Sequence, residues 1–126
     1  MPDFFIKQNS KETIYEQIIF QIKLSIANEE LKIGDILPSV RNLAKALEVS
    51  TLSVQRAYGE LQKENLIETV EGKGTFVAQS LNKSHLRDAL IKETEEEAKK
   101  IIQLAKQNGI QLAELQELIK IIWEDE

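Results

Sequence analysis

Residues 37–77 read LPSVRNLAKALEVSTLSVQRAYGELQKENLIETVEGKGTFV, and the fold follows from how that stretch is punctuated. Ser39 stands between Pro38 and an apolar series at Val40, Leu43, Ala44 and Leu47. Its hydroxyl is placed to accept an otherwise orphaned first-turn N–H of a short helix with one buried stripe. After Val49 the pattern restarts: Ser50 is a second cap, and Val54, Ala57, Tyr58 and Leu61 repeat the helical spacing. Two capped helices about three residues apart make a helix-turn-helix. The runs Leu66–Val70 and Thr75–Ala78 are then β-prone and flank Glu71-Gly72-Lys73-Gly74, the composition of a hairpin turn.

A helix-turn-helix followed at once by a hairpin predicts a winged helix, with Lys73 at the wing tip in reach of a phosphate or a minor groove. The glycines could instead cradle a nucleotide phosphate, but no strand-GxxxxGK[ST]-helix pattern accompanies them. Projected at about 100° per residue, the second helix turns Val54, Ala57, Tyr58 and Leu61 inward and Leu52, Gln55, Arg56 and Gly59 outward. Arg and Gln can fork onto base edges, and a Leu can touch a thymine methyl in a major groove. Gly59 weakens a helix interior by about 1 kcal/mol relative to Ala, which points either to close approach from outside or to an ordinary surface glycine. This helix alone is read more plainly as part of a small three-helix core with scattered surface polar groups; the hairpin behind it shifts the balance toward DNA.

The motifs Gly34-Asp35-x-Leu37-Pro38-Ser39-x-Arg41-x-Leu43-Ala44, Val49-Ser50, Val54-Gln55-Arg56-Ala57-Tyr58 and Gly72-Lys73-Gly74-Thr75-Phe76-Val77 together resemble the GntR family of bacterial transcription regulators. The resemblance covers roughly residues 10 to 78, and the short tail beyond is similar to the YtrA-type branch. It implies that Arg41, the first residues of the second helix and the Gly72-Lys73-Gly74 wing contact operator DNA. The candidate contacts are therefore Ser39, Arg41, Thr51, Leu52, Ser53, Gln55, Arg56, Gly72, Lys73 and Gly74. Thr51 and Leu52 stand where many relatives carry a polar or basic residue. Asn65 stands where relatives usually have Gly, a tolerable exchange because Asn also adopts the left-handed conformation.

Net charge runs against this expectation: the formal balance is −5, whereas nucleic-acid binders are usually basic. Locally, however, residues 39–56 hold Arg41, Lys45 and Arg56 against Glu48 alone, and DNA responds to the near surface because charges beyond about 8 Å are screened. A winged helix that binds protein instead of DNA is the rival reading, and salt-sensitive retention on heparin or duplex DNA separates the two. An enzyme is not expected. Cysteine is absent and His85 is the one histidine, so neither a disulfide nor a metal site is expected, and the many carboxylates fall on solvated faces; no cofactor is called for. With no apolar run near 18 residues and no signal pattern at the start, a cytoplasmic protein without a membrane segment is expected.

Upstream, Phe4-Phe5-Ile6 can form a strand or tuck under a first helix, whose stripe is Ile14, Tyr15, Ile18, Ile19, Ile22 and Ile26. Thr13 and Glu16 have capping-box spacing. That helix is expected to be scaffold. Downstream, residues 79–84 read as a linker with Ser84 as a cap. A helix then carries Leu86, Leu90, Ala98, Ile101 and Ala105, with i,i+4 pairs of Glu95 with Lys99 and Glu96 with Lys100. Asn108-Gly109 ends it, and Leu112, Leu115, Ile119 and Ile122, beside Leu118 and Trp123, define a last helix. Two amphipathic helices cannot close a core alone. Leu86, Leu90, Ile101, Leu112, Leu115, Ile119, Ile122 and Trp123 are therefore expected to pair with a second copy. The chain thus reads as mainly α with a small hairpin: a winged helix-turn-helix over residues 1–78 and a helical dimerisation tail over 79–126. The resemblance agrees that this tail forms a homodimer, which would read an inverted-repeat operator as a repressor. A small effector lodged between subunits stays open, though no polar groups converge on a pocket.

Overall fold

In the computed structural model, which describes residues 3–125, the elements run α1 (Ile14–Ala27), β1 (Ile36–Leu37), α2 (Val40–Leu47), α3 (Thr51–Lys63), β2 (Ile67–Val70), β3 (Gly74–Val77), α4 (Lys83–Gln107) and α5 (Leu112–Asp125). The expected caps start the first three helices. Thr13 and Glu16 close a capping box on α1, Ser39 Oγ accepts from the Asn42 amide at 3.1 Å, and Ser50 Oγ accepts from the Ser53 amide at 3.1 Å. Each satisfies first-turn donors that helix geometry leaves orphaned. At α4 the cap differs from expectation: Asn82 Oδ1, not Ser84, accepts from His85 N at 3.0 Å. Asn caps as well as Ser does, and one standing two residues earlier starts the helix sooner.

Among the described residues, left-handed residues follow four helices: Glu29 (φ 66) follows α1, and the other three close with a shared bond. Asn65 (φ 61) sends the chain from α3 into the hairpin, with Leu66 N donating to Leu61 O at 3.0 Å. Gly109 (φ 72) ends α4, with Ile110 N donating to Ala105 O at 2.9 Å. Glu48 (φ 57) does the same at the turn between α2 and α3, with Val49 N donating to Ala44 O at 3.0 Å. The six-to-one bond is the Schellman pattern. A glutamate in that conformation carries a local strain that glycine or asparagine would not.

The hairpin forms with Ile67 opposite Val77 and Val70 opposite Gly74. A strand at Ile36–Leu37 was not expected. β1 pairs with β3, giving the antiparallel order β1-β3-β2, with Ile36 opposite Phe76 and Leu37 opposite Thr75. Two residues are too short to show a period, so β1 is visible only through its partner. Behind the sheet and between the helices, Ile18, Ile22, Ile26, Val54, Leu61 and Val77 are fully buried. Each such side chain contributes about 1.5–3 kcal/mol relative to exposure.

The N-terminal segment is extended along α1 without joining a sheet. Phe5 N donates to Gln21 Oε1 at 2.8 Å, and Gln21 Nε2 donates back to Phe5 O; Lys7 N donates to Gln17 Oε1 at 2.8 Å, and Gln17 Nε2 to Lys7 O at 3.0 Å. Two glutamine amides one helical turn apart thus serve the backbone of alternate residues as a neighbouring strand would. This satisfies the buried Gln17 and leaves Phe5 80% exposed.

The chain divides into two compact units, residues 1–87 and 88–126. The first holds the winged helix and the opening turn of α4, where Lys83 Nζ meets Glu29 Oε1 at 2.7 Å and Leu86 is buried. The second holds the rest of α4 and α5. Ion pairs on α4 close at i,i+3, Lys99 with Glu96 at 3.4 Å and Lys100 with Glu97 at 2.9 Å, where i,i+4 partners were expected. Within this unit Ala105 and Leu115 are buried near the turn, while Ile101, Leu112, Ile119, Ile122 and Trp123 are exposed. Of the residues expected on the dimer face, Leu86 and Leu115 are buried within the single chain and Leu90 is half-buried.

Candidate nucleic-acid interface

Helix α3 is the element to which the other parts of the first unit are tied. The Tyr58 hydroxyl donates to Pro38 O at 2.7 Å, fixing the entry of α2, and hence Arg41 in its first turn, against the middle of α3. Gln62 Nε2 donates to Thr69 Oγ1 at 2.8 Å, and Thr69 Oγ1 lies 3.2 Å from Thr75 Oγ1, which fastens both strands of the wing to the same helix. Lys23 Nζ reaches Glu64 Oε1 at 3.0 Å and holds α1 to its C-terminal end.

Burial pushes the Tyr58 phenol well above its ordinary value of 10.0. An unfolded tyrosine gives up its proton near pH 10, while the folded one keeps it. The contribution is therefore complete below about pH 10 and is lost as pH rises beyond it. Tyr58→Phe, which leaves the Pro38 carbonyl without that donor, is expected to cost about 1–2 kcal/mol at neutral pH. Its stability gap to the unaltered chain should narrow in thermal melts above about pH 10; a gap that widens there would contradict the assignment.

The outward residues separate into two groups. Arg41, Gln55 and Lys73 are exposed, and their side chains make no hydrogen bond or ion pair among the described residues. Leu52 is 72% exposed in the first turn of α3, an aliphatic surface left open among the described residues. Ser39 and Thr51 are exposed beside them, and Ser53, half-buried, bonds through its hydroxyl to Ser50 at 3.0 Å. At the wing tip Gly72 (φ 76) and Gly74 (φ 124) bracket Lys73, whose amide donates to Val70 O at 3.0 Å. A Cβ at Gly74 would also stand 3.4 Å from the Ile36 side chain, so that glycine answers to β1 as well as to the turn. Gly59 has open space where a Cβ would be, so no contact among the described residues explains it.

Arg56 stands apart. Its guanidinium lies 3.8 Å from the centre of the Tyr15 ring on α1, a contact no local sequence pattern signals. Beside it, the Glu16 carboxyl is held below its usual range by hydrogen bonds from Thr13 and, to a lesser degree, by the Arg56 charge. His85 is exposed in the first turn of α4, and among the described residues no group of three or more His, Asp or Glu side chains is gathered to hold a metal. Among them, too, no helix is long and apolar enough to cross a membrane.

A three-helix core with a wing, and uncommitted Arg, Gln and Lys side chains on the elements that a groove would meet, define a winged-helix DNA-binding protein. The profile of the family described as "Bacterial regulatory proteins, gntR family" matches residues 14–77, and the chain belongs to that family of DNA-binding transcription regulators. It is 38% identical over 120 residues to the HTH-type transcriptional repressor YtrA of Bacillus subtilis (strain 168), spanning 95% of this chain and 92% of the relative. A GntR family transcriptional regulator from Listeria monocytogenes superposes with a TM-score of 0.73 at 29% identity, covering 89% of this chain and 96% of that one. The structure titled AraR(DBD) in complex with operator ORX1 superposes with a TM-score of 0.53 at 27% identity, covering 60% of this chain and 93% of that one.

Proposed function

We propose that this regulator is a cytoplasmic repressor that acts as a homodimer on an inverted-repeat operator, each copy setting α3 into a major groove and its wing on the flanking backbone. The observation that carries the reading is the uncommitted state of Arg41, Gln55 and Lys73, on α3 and the two elements tied to it. Thr51, Leu52, Ser53 and Gln55 would face base edges, where the major groove distinguishes all four pairs. Ser39, Arg41 and Gly72-Lys73-Gly74 would hold the backbone, setting register without reading sequence. The relatives support repression: YtrA is named a repressor, and NagR of Bacillus subtilis, 38% identical over 73 residues, is too.

For dimerisation the support lies in the second unit. Ile101, Ile119, Ile122 and Trp123 line a groove of about 650 Å³ between α4 and α5. A lining of these four apolar side chains suits a helix of a second copy better than a polar effector. A monomer would expose them, and soluble monomers rarely expose a contiguous patch of that kind.

Arg41→Ala is the direct test of the interface. It is expected to leave the fold intact and to weaken operator binding. If Arg41 meets a phosphate, the slope of log affinity against log salt should fall by about one; if it meets a base, the loss should be about 1–3 kcal/mol with relaxed preference at one operator position. Unchanged affinity and unchanged slope would remove Arg41 from the interface.

A further inference from the structure

We propose that Arg56 is a positioning residue: stacked on Tyr15, it sets the roll of α3 against α1 and so aims the side chains that read the operator, without itself reading a base. The sequence places it on the outward half of α3, yet its guanidinium returns to α1 and lies 3.8 Å over the Tyr15 ring. To enter a groove it would have to leave that ring. Arg41, Gln55 and Lys73, in contrast, have nothing to leave.

The geometry shows what the stack can control. Tyr15 pairs with Arg56, and eight residues further along each helix Lys23 pairs with Glu64 at 3.0 Å. Two ties with the same offset mark a parallel seam between α1 and α3, fastened at both ends. The lower tie is distant from Thr51, Leu52 and Gln55; the stack is within about a turn and a half of them. Side-chain tips lie about 6 Å from a helix axis, so a roll of about 10° moves them by about 1 Å, enough to take a base hydrogen bond outside its distance range. The Glu16 carboxylate, anchored by Thr13 on the same helix as Tyr15, adds a negative charge on the side of α1 that the guanidinium faces. An exposed cation–π contact biases two arrangements by about 2- to 5-fold.

The test is a double-mutant cycle on the full chain, read by affinity and by selection from random DNA. Tyr15→Leu and Arg56→Gln should each weaken binding by about 2- to 5-fold and relax preference at several operator positions together. The double variant should lose no more than either single one, because both remove the same contact. Tyr15→Phe, which keeps the ring, should bind and select as the unaltered chain does. The salt slope should be unchanged in every variant. If Arg56→Gln does not fold, the contrast between Tyr15→Leu and Tyr15→Phe carries the same information. Relaxed preference at a single position in Arg56→Gln alone, a salt slope lower by about one, additive losses, or no change in any variant would each overturn the proposal. It rests on α3 being the reading helix, and that reading fails separately if Gln55→Ala leaves the selected sequence unchanged.

Discussion

Breaking the apolar face of the second unit should cost more operator affinity than any single change in the winged helix. Ile122→Glu in the full chain, or truncation after Arg87, is expected to lower affinity by about 10²–10⁴-fold, the range over which a second linked binding event adds to the first. Ile122 is 51% exposed and lines the groove with Ile101, Ile119 and Trp123, so a charge there leaves the chain's own core untouched while opposing burial against a twin. The cut is placed after Arg87 because Leu86 is buried in the first unit and Lys83 is paired with Glu29 there; a cut at residue 80 would strip both. Trp123, 79% exposed in the single chain, supplies a second readout: its emission should be blue-shifted at high concentration and move red on dilution. A truncated chain that binds as tightly as the full one, or a full chain that sediments as a monomer at micromolar concentration, would contradict the dimer.

Gln55→Ala and Lys73→Ala should fail in different ways. Gln55 is exposed near the start of α3, where its amide can fork onto an adenine edge; its loss should cost about 1–3 kcal/mol on the preferred operator and much less on others, changing the selected sequence. Lys73 sits on a glycine-bracketed wing tip, a place suited to a phosphate or the degenerate minor groove. Its removal should weaken all sequences together and lower the salt slope by about one. The reverse pattern would mean that the wing reads and the helix clamps. Because the chain carries a net charge of −5, non-specific attraction is expected to be weak, which makes the Gln55 effect easier to separate from background.

What was legible in the sequence was whatever short-range chemistry dictates. Ser39, Ser50 and the Thr13–Glu16 pair announced helix starts because capping needs one side chain at a fixed offset from one amide, and Asn65 announced a helix end because so few residues accept a positive φ. Glu48 adopts the same conformation without any signal, since glutamate has no preference for it and is held there by the helices on either side. β1 was missed because its two residues are defined by pairing with β3 rather than by their own pattern. Gln17 and Gln21 have visible i,i+4 spacing, but nothing local says that their amides will bind the backbone of Phe5 and Lys7. The outward face of α3 was read correctly as a face, but one contact made from it was not legible. Periodicity places Arg56 among the exposed residues, whereas its partner, Tyr15, is 41 positions earlier in the chain and becomes a neighbour only once α1 and α3 lie side by side.

The most direct test of a dimer that reads an inverted repeat through α3 is selection of bound duplexes from random DNA by the full chain at low and at moderate salt. The expected result is one enriched motif with two inverted half-sites whose centres lie about 10–10.5 bp apart or at a multiple of that spacing, with binding that weakens as salt rises. An unrepeated single motif would contradict the dimeric mode, and no enrichment at low salt would contradict operator recognition itself.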